Sequence, residues 1–188
     1  MYALSMFRSG MAIAVVLAAT AALSASTGGA RSAPSACPAS TVHYTRYPGT
    51  GVGGGQKPWV EASPVSQGLV GLLAYWRQDW RAAHVTTAQM YAGGQAPNGG
   101  LNMKVLWAFV APKAKRATDA QMLTVKARRL DGTGKTWQRF TAISYIGQNR
   151  APSYASGINL PAPGCWRVEA TAGSLHGTTT FRALSPSE

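Results

Sequence analysis

The feature that most constrains this chain is a set of short segments with an apolar residue at every second position, each ended by glycine or proline. Residues 102–110 set Met103, Val105, Trp107 and Phe109 against Lys104, Leu106 and Ala108. Residues 123–130 (LTVKARRL) set Leu123, Val125 and Ala127 against Thr124, Lys126 and Arg128. Residues 165–172 (CWRVEATA) put Trp166, Val168 and Ala170 on one face. Successive side chains leave a strand on opposite sides, so a period of two marks a strand with one buried face. Residues 69–76, 137–143, 156–160 and 178–184 are further strand candidates. Residues 77–84 fit either a turn and strand or a short helix. Asn98-Gly99-Gly100, Asp131-Gly132, Pro161/Pro163/Gly164 and residues 173–177 read as turns, and residues 147–153 as a loop. About seven strands, with turns roughly every 8–12 residues, predict an all-β chain folded as an antiparallel β-sandwich.

Composition agrees. Of 188 residues, 46% are hydrophobic and only 13% charged, with 21 Gly and 11 Pro, which excludes a coiled coil or a collagen-like chain. Six Trp in an apolar-rich chain also exclude a wholly disordered one. The length suits one domain with a real core. Arg8 precedes an apolar run at 11–23 and then small residues, the pattern of a signal peptide. An uncleaved anchor is the alternative. No later stretch approaches the roughly 18 consecutive apolar residues of a membrane helix. The expected layout is a signal peptide and cleavage region at 1–30 and a flexible lead-in at 31–40. A single domain follows at 41–184, with a tail at 185–188. The Gly-rich residues 50–57 lack the Gly-Lys-Ser/Thr ending of a phosphate loop and read as a linker.

Cys37 and Cys165 are the only cysteines. Export would place them where disulfides persist. Joining them closes a loop worth about 4–5 kcal/mol on the chain-entropy model. The alternatives are lipidation of Cys37, which would anchor the protein as a lipoprotein, and two free thiols.

Eighteen Lys and Arg against six Asp and Glu give a formal charge of +12. Lys113, Lys115 and Arg116 cluster, as do Lys126, Arg128 and Arg129. Lys126 and Arg128 on the outward face of one strand would make a positive stripe able to meet an anionic envelope polymer, an acidic lipid surface or extracellular nucleic acid. Such attraction is salt-dependent and non-specific, so no specific nucleic-acid partner is expected. The alternative is a charge that only keeps the domain soluble. Trp107 and Trp166 fall on apolar faces and read as core. Tyr75, Trp76 and Trp80 bracket a turn and are the aromatic contact candidates. No catalytic residue is assigned. Asp79 and His84 lie close in sequence, but no Gly-x-Ser-x-Gly elbow accompanies them. The cysteines and histidines show no metal-ligand spacing, and no metal or cofactor is expected.

Residues 161–173 are similar to the late part of bacterial immunoglobulin-like domains, where a Pro-x-x-Gly corner leads into a strand with an aromatic near its start. Here Trp166 stands where such domains often carry Tyr. Cys37-Pro38, Pro58-Trp59, Lys104 to Trp107, and residues 123–132 and 160–168 with Gly-Cys-Trp at 164–166 extend the likeness over most of the chain. Together they resemble a family of secreted bacterial immunoglobulin-like β-sandwich proteins without an assigned activity. Loops 93–100 and 113–116 depart from that group. The resemblance implies an exported immunoglobulin-like β-sandwich with a cysteine near each end. The expected function is a non-catalytic basic binding module at the cell envelope or outside the cell. The alternatives are a structural partner of another secreted protein, paired through an edge strand, and a secreted hydrolase using His84 and Asp79.

Overall fold

In the computed structural model, residues 36–48, 58–73, 85–91, 99–110, 122–142, 144–146 and 151–185 are described. The alternating segments become strands of two sheets. In chain order they are β1 (Val42–His43), β2 (Trp59–Glu61), β3 (Leu69–Leu73), β4 (Gln89–Tyr91), β5 (Leu101–Phe109) and β6 (Met122–Arg129). These are followed by β7 (Lys135–Thr141), β8 (Ser144–Ile146), β9 (Ala151–Leu160), β10 (Gly164–Ala172) and β11 (Leu175–Leu184). One sheet runs β1-β2-β3-β5-β9-β8 and the other β4-β11-β10-β6-β7. The result is the β-sandwich that the alternation predicts.

Among the described residues the sandwich has eleven strands, where the sequence marks about seven. The extra ones are two or three residues long, too short for a period to register. One pairing departs from the antiparallel rule: β4 runs parallel to β11. Residues 151–153, read as loop, begin β9, and the last turn shrinks to Gly173-Ser174 because Leu175 to Gly177 already pair with β10.

The core lies between the sheets. Met103, Val105, Trp107 and Phe109 meet Leu123, Val125, Trp166, Val168 and Phe181, all buried. The Trp107 indole donates to Ser156 Oγ at 3.0 Å, and that hydroxyl donates to the Val105 carbonyl at 2.9 Å. A buried N–H needs such an acceptor. Gly71 pairs with Trp107 and leaves room for it, since a Cβ there would stand 3.0 Å from the indole.

The outer faces of the two sheets differ. On the six-stranded sheet, Tyr47 and Trp59 close over Val70 and Ala108 as a small second cluster. The Tyr47 hydroxyl reaches the Leu106 carbonyl at 2.9 Å and the Val70 carbonyl at 3.3 Å. Burial pushes the ionisation of that hydroxyl far above the usual tyrosine range. On the five-stranded sheet Lys126, Arg128, Lys135, Trp137, Arg139, Arg167 and Glu169 stay in solvent.

Cys37 and Cys165 form a disulfide with 5.4 Å between Cα atoms. The Cys37 sulfur is therefore taken, which removes the lipoprotein alternative. From Cys37 the chain passes β11, where Ser40 N–H donates to the Thr180 carbonyl at 2.7 Å and Ser40 Oγ accepts the Thr180 N–H at 2.9 Å. The Ser40 carbonyl accepts the Ala88 N–H just before β4. Among the described residues, no helix is long and apolar enough to cross a membrane.

Candidate anion-binding face

Register decides what the alternation of β6 brings together. With Leu123, Val125 and Ala127 buried, Lys126 and Arg128 project outward, as the sequence predicts. On β7 the outward set is Lys135, Trp137, Arg139 and Thr141. On β10 it includes Arg167, Glu169 and Thr171. Pairing aligns these sets into rows across three strands. One row is Lys135, Arg128 and Arg167. The next is Trp137, Lys126 and Glu169, and the third is Arg139, Thr124 and Thr171.

Trp137 is 62% exposed, the most open large apolar side chain among the described residues. The Arg139 guanidinium carbon sits 5.6 Å from its ring centroid, within cation–π range. Arg167 Nε stands 3.9 Å from Glu169 Oε1, a loose and solvated ion pair. Among the described residues, no ion pair holds Lys126, Arg128 or Lys135. A shallow groove of about 470 Å³ runs over this face, lined by Lys126, Arg128, Lys135, Trp137, Arg167 and Glu169.

The end of the face is tied down. Asp131, in the β6–β7 turn, accepts Arg129 Nε at 2.7 Å and the Cys165 backbone N–H at 2.9 Å. Partial burial pushes its carboxyl up, but the two hydrogen bonds and the guanidinium charge outweigh that and hold it below the usual value. Arg129 thus turns to Asp131 rather than joining the outward stripe.

Of the residues singled out from sequence, the structure brings Lys126 and Arg128 together on one face. Lys113, Lys115, Arg116, Tyr75, Trp76 and Trp80 lie outside the described residues, as do Asp79 and His84. Sequence reasoning missed Lys135, Trp137 and Arg167 as members of the face. The alternation of Lys135, Trp137 and Arg139 against Thr136 and Gln138 was the available signal: a strand whose apolar aromatic shares a side with cations turns that side to water. His43 stacks on Trp59 with 4.4 Å between ring centroids, and His176 lies on the outward side of β11. Among the described residues, no three His, Cys, Asp or Glu side chains gather into a metal site. No protein family, curated protein or solved structure was found to match the chain.

Proposed function

We propose that this protein is an exported, non-catalytic binding module that holds anionic surfaces or polymers on the outer face of β6, β7 and β10. One observation carries the reading: Lys135, Arg128 and Arg167 stand directly opposite one another across three strands. Like charges in such positions oppose folding. Lys135 and Arg128 have no ion-pair partner among the described residues, so an arriving anion relieves repulsion the fold leaves in place. On the other sheet, Tyr47 and Trp59 close over Val70 and Ala108, and Lys104 is the exposed cation of β5 among the described residues.

Export rests on the N-terminal apolar run and on a disulfide that suits an oxidising compartment. The resemblance to secreted bacterial immunoglobulin-like domains points the same way. Pairing through an edge strand has weaker support. Edge strands β1, β4 and β8 are two or three residues long, and the longer edge strand β7 carries cations.

The test is binding of the oxidised protein to dextran sulfate, polygalacturonate, phosphatidylglycerol vesicles and neutral dextran at about 0.05 and 0.5 M salt. The same panel is run on Lys135→Gln/Arg128→Gln/Arg167→Gln, which removes the whole row. Binding to anionic probes should fall steeply with salt, with a log–log slope of roughly −2 to −3 for three engaged cations. It should be lost in the triple variant. Binding that ignores both salt and the three substitutions overturns the proposal.

A further inference from the structure

The groove holds more than positive charge. Trp137 presents its ring beside the cation row, and Glu169 faces the same space from β10. An anion site built for charge alone needs neither. The Glu169 carboxylate, only loosely paired with Arg167 at 3.9 Å, keeps lone pairs for hydroxyl donors, and the exposed Trp137 ring offers an apolar platform that a purely ionic ligand does not use. Both make sense for a ligand that alternates apolar ring faces, hydroxyl donors and well-spaced anionic groups. That is a carboxylated sugar chain.

Resting on the reading of this face as an anion-binding surface, we infer that the groove takes a linear uronate-type polysaccharide. One pyranose ring lies on Trp137, with its C–H face against the indole. Its hydroxyls donate to Glu169. The carboxylates of this and neighbouring rings meet Lys135, Arg128 and Arg167, which step across the sheet at about 4.8 Å per strand. A chain with one anionic group per ring repeats on that length scale. Single-stranded nucleic acid also pairs a basic groove with aromatic stacking, but it presents Glu169 with few hydroxyl donors where a uronate chain presents them on every ring. The membrane reading fits less well, because the aromatic lies in a groove on a sheet face, not on a projecting loop tip.

The experiment is calorimetric titration of the full oxidised protein at low and moderate salt. The probes are oligogalacturonate, its methyl ester, a single-stranded oligonucleotide of matched charge and phosphatidylglycerol vesicles. Each is repeated with Trp137→Ala and Glu169→Gln. Both side chains concerned are exposed, and near-ultraviolet circular dichroism confirms that each variant keeps the native fold. The inference expects oligogalacturonate to bind tightest and its methyl ester not at all. Trp137→Ala should weaken oligogalacturonate by roughly tenfold while leaving oligonucleotide binding within a factor of about two. Glu169→Gln should narrow the preference over the oligonucleotide. Equal, salt-sensitive binding of every polyanion with no effect of Trp137→Ala overturns the inference and leaves the parent reading standing. Tighter binding of the oligonucleotide or of vesicles overturns it in favour of that partner. Failure of every anionic probe to bind overturns both.

Discussion

The carboxylate of Asp131 accepts the backbone N–H of Cys165 at 2.9 Å while its other oxygen accepts Arg129 Nε at 2.7 Å. The β6–β7 turn is thereby fastened to the strand that carries the disulfide. Gly164 completes the arrangement. It sits at φ 140°, and a Cβ there would fall 2.6 Å from Arg129 Nε and 2.7 Å from Asp131 Oδ1. Only glycine combines that backbone angle with that clearance.

Asp131 gives the fold an acid-sensitive component. Its carboxyl ionises below its ordinary value of 3.8 in the folded protein. In the unfolded chain it binds a proton first as pH falls, so its contribution is present above that ordinary value and fades through the lower folded one. The pair is partly solvated, which limits the effect to about 1 kcal/mol. Asp131→Asn should lower the urea midpoint at pH 7, and the gap from the unsubstituted protein should close in acid. A constant gap from pH 7 down to strongly acid solution would mean that the charge is not responsible.

The disulfide spans a sequence separation of 128 residues. Cys37→Ser/Cys165→Ser should lose about 3–5 kcal/mol in denaturant unfolding. Because Ser40 hydrogen-bonds Thr180 on one side and Ala88 on the other, amide exchange at Thr180 and Ala88 should rise in the same variant.

Ser156→Ala leaves the buried Trp107 indole N–H without its acceptor. The expected cost is about 1–3 kcal/mol, the usual penalty of an orphaned buried donor. Trp107→Phe in the Ser156→Ala background removes the orphan, and a double-mutant cycle should show strong coupling between the two sites.

Arg128→Gln should move stability and affinity in opposite directions. It relieves repulsion with Lys135 and Arg167, raising stability by roughly 0.2–1 kcal/mol at low salt, and it weakens polyanion binding. Thermal midpoints and binding isotherms on one preparation read both. Loss of stability in that variant would mean that Arg128 is a structural residue.

Much of the sandwich is legible in the chain because its long strands carry strong alternation. Met103 to Phe109 and Trp166 to Ala172 name their own buried sides. The β7 strand is harder to read. It lies at a sheet edge, where the inward side is only half-covered and Thr136 and Gln138 occupy it; the Gln138 side-chain oxygen accepts the Asn159 N–H of β9 at 3.1 Å. Without a run of large apolar residues inward, Trp137 resembles a core residue until its neighbours are known. Arg129 illustrates the same limit, since its turn toward Asp131 depends on where Cys165 lies.

The linear order of residues was enough to say which side chains of a strand share a face, because the pleat has a period of two whatever the strand packs against. It was enough, too, to identify the only two cysteines that could pair. It held nothing that related Lys135 and Arg128 to Arg167. That row exists because β6 pairs with β7 through a local turn and with β10 through a long-range contact, at one register. A slip of one residue would send every one of those cations to the other face. Strand neighbourhood and register are set by burying the whole core at once, so the basic groove emerges only from the folded structure.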